Sequence, residues 1–451
     1  MTETTFAAIV LAAGKGTRMR SALPKVLHAI ANRPMIGHVL GALAPLQPAR
    51  TVVVVAPGMD AVSELVAPAE SAVQAEQKGT ADAVAAARQQ LDGFAGDVLV
   101  LYGDAPLVTP ATLQALLEAR RRAPRPVAVV VGMRPPDPGP YGRLVAGPDG
   151  ALEAIVEALD CTPDQRAIGL CNSGLMAVDA THLFPLLDRI GTENAKGERY
   201  LTDLVAVARR EGLSCRYVEA PADELLGVNS RAELAAAEAV MQARLRRQAM
   251  EDGVTFVAPE TVFLSADTKI GRDTIIGPFV VFGPEVEIGE GVQVPAFCHL
   301  AGARIGDRSI IGPFARLRPG AALAPDVHIG NFVEVKNSRL ESGVKANHLA
   351  YIGDSNVGAE TNVGAGAITC NYDGVEKFRT EIGKSVFVGT NVSMVAPLNV
   401  GDGAILAAGS VITGDVPADA MAIGRGQQVT KPGRAKEWRA RRRQARHRGK
   451  N

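Results

Sequence analysis

The stretch from residue 264 to residue 300 reads L-S-A-D-T-K-I-G-R-D-T-I-I-G-P-F-V-V-F-G-P-E-V-E-I-G-E-G-V-Q-V-P-A-F-C-H-L, with a large apolar side chain at every sixth position. Two later stretches, 305–335 and 382–412, keep the same spacing. Neither an α-helix nor an alternating strand has a period of six. We therefore predict a parallel β-helix, in which each short flat side turns one such side chain inward. The repeating positions are Leu264, Ile270, Ile276, Phe282, Ile288, Val294, Leu300, Ile305, Ile311, Leu317, Leu323, Ile329, Val335, Ile382, Val388, Met394, Val400, Leu406 and Ile412.

Glycine often follows the repeating position, as in Gly271, Gly277 and Gly289, and we interpret it as the corner residue of the coil. One segment breaks the period: residues 369–381 read T-C-N-Y-D-G-V-E-K-F-R-T-E. We predict a loop that leaves the coil there. Loops on rigid scaffolds often carry function, so this loop is a candidate part of a site.

The part of the chain before residue 229 alternates strand-like apolar runs with helix-forming segments. The runs are Ala7–Leu11, Thr51–Ala56, Val98–Tyr102 and Val127–Gly132, and the segments between them include Gly79–Leu91 and Thr109–Arg122. This alternation predicts a parallel sheet with helices on both faces. Ligands of such sheets bind at the carboxyl ends of the strands, where Gly103 and Asp104 follow one of the runs.

A chain of 451 residues is too long for one compact core, so we expect at least two domains. We assign residues 1–229 to the α/β domain and 252–451 to the β-helix, with a basic tail from about residue 431. Residues 230–251 are strongly helix-forming, with Ser230 as N-cap and Glu233 three residues later, and we interpret them as a helical linker.

Composition indicates a globular protein, with 47% hydrophobic and 21% charged residues. The apolar run Phe6–Ala13 is too short for a signal peptide or a membrane span, and we expect no membrane association. The five cysteines form no C-x-x-C pair, which favours free thiols and a cytoplasmic location.

The net charge of zero conceals a basic tail. From Lys431 onward the chain contains ten Lys or Arg residues and one acidic residue, Glu437. Such a tail has two readings, a nucleic-acid-binding arm and a solvated or partner-docking arm. We favour the second and expect no nucleic-acid partner, because Trp438 is the only aromatic residue there.

Residues 9–25 read I-V-L-A-A-G-K-G-T-R-M-R-S-A-L-P-K, an apolar strand followed by a glycine loop. Gly14 and Gly16 let backbone N–H groups approach a nucleotide, while Arg18 and Lys25 can neutralise phosphate charge. The loop matches neither G-x-G-x-x-G nor the P-loop pattern. On the glycines alone, a tight strand-to-helix connection with solvated cations is an equally good interpretation.

The whole string L-A-A-G-K-G-T-R-M followed by L-P-K-V-L resembles the signature of the nucleotide-sugar pyrophosphorylases. The six-residue period resembles that of the hexapeptide-repeat acyltransferases, whose coil is a left-handed, three-sided prism. Together the halves resemble the bifunctional bacterial uridylyltransferase/acetyltransferases over essentially the whole chain. The resemblance implies a Rossmann-like α/β domain, a helical linker and a left-handed parallel β-helix, assembled as a homotrimer.

The same resemblance implies two reactions. In the C-terminal half, acetyl-CoA would acetylate glucosamine 1-phosphate. In the N-terminal half, UTP and the resulting N-acetylglucosamine 1-phosphate would give pyrophosphate and UDP-N-acetylglucosamine, a precursor of peptidoglycan and lipopolysaccharide. A second interpretation is a pyrophosphorylase with one activity and a purely structural, trimerising β-helix. A structural coil has no use for the N-H-L-A-Y and N-Y-D-G segments, so we favour the first interpretation.

For uridylyl transfer, the resemblance assigns Arg18 and Lys25 to charge neutralisation and Asp104 with Asn229 to Mg²⁺, which prefers oxygen ligands and retains water. The attacking sugar phosphate is already anionic, so no general base is needed. The residues implied for UTP and the nucleotide sugar are Leu11, Ala12, Ala13, Gly14, Lys25, Gln74, Gly79, Thr80, Tyr102, Gly103, Asp104, Gly142, Glu157, Asn172 and Asn229.

For acetyl transfer, the resemblance points to His348 as the base that removes the amine proton, with Glu334 orienting the imidazole or the amine. A lone histidine is more often structural, and its matched surroundings favour the catalytic interpretation. The residues implied for glucosamine 1-phosphate are Arg318, Lys336, Tyr351 and Asn362. Those implied for acetyl-CoA are Ala365, Asn371, Tyr372, Thr390, Ala408 and Arg425.

Overall fold

The computed structural model describes residues 5–448 and divides into two compact units. The first unit extends to Ala249 and includes Phe263–Ala266, and the second comprises Met250–Val262 and the chain from Asp267 onward. The helix expected at 230–251 spans Arg231–Glu251 and groups with the first unit almost entirely. Ser230 caps it as predicted, because the Ser230 Oγ accepts a hydrogen bond from the Glu233 N–H at 3.3 Å.

The first unit is built on one twisted sheet. Its strands, with those of a small hairpin, are β1 Phe6–Leu11, β2 Ala29–Ile30, β3 Arg33–Pro34, β4 Arg50–Val55, β5 Glu70–Val73, β6 Asp97–Tyr102, β7 Ala128–Met133, β8 Arg143–Ala146, β9 Leu152–Val156, β10 Cys171–Asp179 and β11 Cys215–Glu219. The sheet order is β11-β7-β10-β6-β1-β4-β5, with β8 and β9 beside β10. Alternate residues of β1 enter the two hydrophobic cores on opposite faces of the sheet. Ala7 and Ile9 enter one core, and Ala8 and Val10 enter the other.

The prediction of a parallel sheet is wrong for β10 and for the β8–β9 hairpin. β10 is antiparallel to both β6 and β7, which makes the sheet mixed. The chain reaches β10 from β7 through the β8–β9 hairpin, without the helical crossover that a parallel connection requires. The helices of the first unit are Met35–Leu43, Asp60–Leu65, Thr80–Ala85, Pro110–Arg121, Pro163–Arg166, Ala180–Asp188, Asp203–Arg210 and Arg231–Glu251.

The second unit is a coil of short parallel strands on three faces, and the predicted β-helix is confirmed. The first face contains Thr255–Phe256, Ile275–Ile276, Gln293–Val294, Ile310–Ile311, His328–Asn331, Lys345–His348, Asn362–Val363, Phe387–Val388, Ile405–Leu406 and Met421–Ala422. The second contains Val281–Phe282, His299–Leu300, Arg316–Leu317, Glu334–Lys336, Tyr351–Gly353, Ile368–Cys370, Ser393–Val395 and Val411–Ile412. The third contains Lys269–Ile270, Glu287–Ile288, Ala303–Ile305, Ala321–Leu323, Arg339–Leu340, Ser355–Val357, Thr380–Ile382 and Leu398–Val400.

The repeating positions point inward. All of them are buried except Ile270, which is partly buried near the start of the coil. The glycines have a different role from the one predicted. At Gly277 a Cβ atom would lie 2.8 Å from the Ala296 nitrogen of the next coil, so glycine permits close approach between coils. The left-handed corner conformation falls two residues later, at Phe279, whose φ is +56°.

The loop predicted at 369–381 is also present. It leaves the second face after Ile368–Cys370 and returns at Thr380–Ile382, and its exposed part runs from Tyr372 to Lys377. Beyond the coil, a further helix spans Arg434–Arg448 in the basic tail, and its described side chains are exposed. Within residues 5–448, every helix is too short or too polar to cross a membrane. All five cysteines are free thiols.

Candidate active sites

A cleft of about 450 Å³ opens at the carboxyl ends of β1 and β6, where Leu11 pairs with Tyr102. This is the edge of the sheet at which the sequence placed the nucleotide. Most residues predicted to contact UTP line the cleft. Its walls are formed by Leu11, Ala12, Ala13, Gly14, Lys15, Lys25, Val26, Gln74, Gln77, Gly79, Thr80, Ala83, Tyr102, Asp104 and Glu198.

Two glycines shape this cleft through backbone conformation. Gly16 has a φ of +59°, and a Cβ there would lie 2.8 Å from the Cβ of Lys25. Gly79 has a φ of +130°, and its Cβ would lie 2.3 Å from the Arg199 carbonyl oxygen. Larger residues would therefore push the glycine loop away from Lys25 and the Gln74–Thr80 segment away from Arg199.

Lys25, Asp104 and Asn229 converge at one point of the cleft. The Lys25 ammonium forms an ion pair with Asp104 and donates a hydrogen bond to the Asn229 Oδ1 at 3.1 Å. A cation thus already lies between a carboxylate oxygen and an amide oxygen from distant parts of the chain. This donor set fits Mg²⁺, because two protein oxygens leave the other positions to phosphates and water. Within the described residues, no group of three His, Cys, Asp or Glu side chains offers a metal site of another kind.

Five lining residues of the cleft were not assigned to UTP from the sequence: Lys15, Val26, Gln77, Ala83 and Glu198. Gln77 donates a hydrogen bond from its Nε2 to the Ala13 carbonyl oxygen at 2.6 Å and so ties the Gln74–Thr80 segment to the glycine loop. Glu198 lies on the cleft wall from a separate part of the chain. Gln77 stands between Gln74 and Gly79, two residues assigned to UTP from the sequence, whereas the sequence gives no signal for Glu198.

Gly142, Glu157 and Asn172, which the resemblance assigns to the sugar of the nucleotide sugar, form a cluster. The Asn172 N–H donates to the Gly142 carbonyl oxygen at 2.8 Å, and the Glu157 carboxylate accepts from the Thr202 hydroxyl at 3.1 Å. Burial raises the pKa of Glu157 above its usual value. Burial, together with the charges of Glu157 and Asp104, also raises the pKa of Tyr102, so its hydroxyl stays protonated. Arg18 is exposed on the short turn Thr17–Met19.

In the second unit, His348 lies at the corner between the first and second faces, which we call the first edge. Its side chain is exposed, and its Nδ1 lies 3.0 Å from the Oδ1 of Asn331 on the preceding coil. The register pairs Asn331 directly with His348. Glu334, predicted to orient the imidazole or the amine, accepts hydrogen bonds from Arg318 at 2.8 Å and Arg316 at 3.3 Å.

Three residues implied for acetyl-CoA follow His348 on successive coils of the first edge. Ala365, Thr390 and Ala408 each stand two positions after the inward side chain of the first face, as His348 does. Backbone hydrogen bonds of 2.8 Å join the Ala365 carbonyl to Asn391 and the Thr390 carbonyl to Gly409. Arg425 donates to the Ala408 carbonyl. These residues therefore form a row along the edge.

The corner residues change character at His348. On the earlier coils they are Phe279, Phe297, Phe314 and Phe332, whose rings stack at 4.9–5.1 Å and are 44–56% exposed. Leu349 follows beside His348, and the next corners are Gly366, Asn391 and Gly409. The bulky ladder thus stops where the row of predicted acetyl-CoA residues begins, and the corners beside that row carry smaller side chains.

A polar cluster lies at the opposite end of the second face. Lys336 donates to Asp354 at 3.2 Å, and Asn371, at the start of the extruded loop, also hydrogen-bonds Asp354. Burial of Asp354 opposes ionisation, but hydrogen bonds from Asn337, Asn371 and Lys336 outweigh it and hold the pKa of Asp354 below its usual value. Asp354 was not predicted. It lies in Y-I-G-D, next to the quoted N-H-L-A-Y segment.

The other residues predicted for the second unit lie on the second face, on the first face and in the extruded loop. Tyr351 is on the second face, opposite Glu334 in register, and its hydroxyl lies over Gly353. Asn362 is on the first face beside Lys345. Tyr372 is in the extruded loop and donates from its hydroxyl to the Gly374 carbonyl at 2.6 Å.

Comparison with known proteins matches both units. The model of the MobA-like NTP transferase domain matches residues 8–206, and the bacterial transferase hexapeptide model (six repeats) matches residues 267–302. The bifunctional protein GlmU of Rhodospirillum rubrum is 59% identical over 440 residues, 98% of each chain. The chain belongs to the GlmU family. GlmU proteins of Paramagnetospirillum magneticum and Zymomonas mobilis are 55% and 51% identical, over at least 97% of this chain and 98% of theirs.

Membership of the GlmU family confirms the predicted fold and activities. The first unit is a nucleotidyltransferase domain with a mixed sheet, and the second is a left-handed hexapeptide-repeat β-helix. The chain is a uridylyltransferase that acts on N-acetylglucosamine 1-phosphate and an acetyltransferase that acts on glucosamine 1-phosphate. Its substrates include a nucleotide and acetyl-CoA.

Proposed function

We propose that uridylyl transfer occurs in the cleft of the first unit, with Lys25, Asp104 and Asn229 at its centre. An oxygen of the sugar phosphate attacks the α-phosphorus of UTP, and the bond from that phosphorus to the bridging oxygen breaks to release pyrophosphate. Lys25 and Arg18 neutralise charge on the phosphates. Asp104 and Asn229 would hold Mg²⁺, which supplies further charge neutralisation when bound. The convergence of two oxygens on the Lys25 ammonium supports this assignment most directly.

For acetyl transfer we propose a site at the first edge of the β-helix. The amine of glucosamine 1-phosphate attacks the thioester carbonyl, the C–S bond breaks, and coenzyme A leaves. His348 accepts the amine proton, and the row Ala365, Thr390 and Ala408 lies along acetyl-CoA. Arg318, which follows the strand Arg316–Leu317, and Lys336, which ends the strand Glu334–Lys336, are cations suited to the sugar phosphate. The alignment of His348 with that row on consecutive coils is the observation that supports the proposal.

One incubation tests both proposals. The pure protein is supplied with glucosamine 1-phosphate, acetyl-CoA, UTP and Mg²⁺, and thiol and pyrophosphate are followed together. We expect thiol release to precede pyrophosphate release. EDTA should stop pyrophosphate release and leave thiol release unchanged, because only the first site uses Mg²⁺. Loss of thiol release in EDTA would contradict the assignment of the metal.

We propose further that the chain is a cytoplasmic homotrimer joined along the first edge. Hexapeptide repeats themselves suggest oligomerisation. The first edge carries the exposed phenylalanine ladder, and apolar Phe387, Ile405 and Val411 are exposed on the faces that meet there. The third face instead presents charged pairs, such as Lys269 with Glu287. Burial of the apolar edge between copies removes its surface from water, while the charged face stays in solvent.

We therefore expect light scattering of the full chain to give three times the monomer mass. Replacing Phe314 and Phe332 together by serine should shift this mass toward the monomer, because it removes two exposed rings from the interface. Arg304→Ala on the third face serves as the control and should leave the trimer intact. A serine variant that stays trimeric at low micromolar concentration would place the interface elsewhere.

A further inference from the structure

We infer that Asn331 is a positioning residue for acetyl transfer, which fixes the tautomer and the orientation of the His348 imidazole. This inference rests on the proposed role of His348 as the base. The Asn331 Oδ1 lies 3.0 Å from the His348 Nδ1. An amide oxygen only accepts hydrogen bonds, so the Nδ1 atom carries the ring proton. The Nε2 atom then presents its lone pair. The amine proton moves to it when the amine nitrogen of the substrate bonds to the acetyl carbon.

The register of the coil places Asn331 beside His348. The strands His328–Asn331 and Lys345–His348 are parallel neighbours on the first face, and Asn331 pairs with His348. Side chains at paired positions of adjacent strands lie directly beside each other. The backbone is fixed as well, since the Leu349 N–H donates to the Asn331 carbonyl oxygen at 2.9 Å.

The sequence position of Asn331 is also distinctive. On each coil, the position equivalent to Asn331 stands two residues after the inward side chain of the first face. On the three preceding coils this position holds Pro278, Ala296 and Pro313. None of these side chains accepts a hydrogen bond. The acceptor thus appears on the coil that immediately precedes His348. The contact lies on the side of the imidazole away from the row that begins at Ala365, so the free ring nitrogen is left for substrate.

Orientation of a base by a neighbour predicts a specific kinetic pattern. Asn331→Leu, of similar size, removes the acceptor and should lower kcat for thiol release by about 10- to 100-fold, as loss of an orienting partner typically does. KM for glucosamine 1-phosphate and acetyl-CoA should not change, because the interaction acts on the chemical step. Asn331→Asp keeps an accepting oxygen and should retain activity close to that of the unmodified protein.

The experiment measures thiol release at saturating acetyl-CoA for Asn331→Leu, Asn331→Ala and Asn331→Asp in the full chain. Asn399→Leu is the matched control, because Asn399 is an exposed asparagine of the third face that donates to Asp415 at 3.0 Å. Pyrophosphate release and light scattering on the same preparations verify folding and assembly. If Asn331→Leu or Asn331→Ala retains kcat, or if the Asp and Leu variants are equally impaired, the inference is wrong.

The His348→Gln variant tests the proposed role of His348 as the base separately from the positioning role of Asn331. A His348→Gln protein that still releases thiol at the normal rate would show that His348 is not the base. Asn331 would then have no positioning role. An inactive His348→Gln protein together with a fully active Asn331→Leu protein would overturn the positioning role alone.

Discussion

His348→Ala lowers acetyl transfer by about two to four orders of magnitude, the usual contribution of a positioned general base. The substrate amine must lose a proton as it attacks the thioester, and in our proposal the imidazole accepts it. Thiol release measured with glucosamine 1-phosphate and acetyl-CoA gives the rate. KM for the sugar phosphate changes much less, because Arg318 and Lys336 remain.

The control for this variant is His299→Ala, since His299 is another exposed histidine of the prism, on the second face. It should leave acetyl transfer unchanged. Uridylyl transfer from supplied N-acetylglucosamine 1-phosphate should be normal in both proteins. Near-normal thiol release by a folded, trimeric His348→Ala protein would show that the histidine is not the base.

Asp104→Ala and Asn229→Ala each lower pyrophosphate release by about two or more orders of magnitude, the scale seen when one preorganised charge-stabilising group is removed. Each variant removes one of the two oxygens that converge on Lys25. Both leave acetyl transfer close to normal, because the two sites lie in separate units. Pyrophosphate release and thiol release on one preparation provide the comparison.

Asp60→Ala is the matched control for the proposed metal ligands, since Asp60 is exposed in the first turn of the helix Asp60–Leu65. It should not affect either activity. An equal loss of both activities in folded Asp104→Ala protein would contradict the separation of the sites. Restoration of the Asp104→Ala rate by high Mg²⁺ would indicate that the residue contributes to metal affinity rather than to alignment.

The sequence by itself determined the β-helix, because a side chain that returns every six residues fits only a coil with one inward position per face. It also indicated the position of the cleft in the first unit, since the glycine loop and Asp104 each follow a recognisable strand end. These signals are local: each depends on residues close together in the chain. The same is true of the extruded loop, which is visible as a gap in the period.

Only the tertiary structure decided the direction of β10, because a strand reached through the β8–β9 hairpin has the same apolar pattern as one reached through a crossover. It also decided the role of the coil glycines, which depends on a neighbouring coil. The contacts of Asn331 with His348 and of Lys336 with Asp354 join residues 17 and 18 positions apart. Such partners meet because one turn of the coil has about that length, and the register that brings them together exists only once the coil has formed.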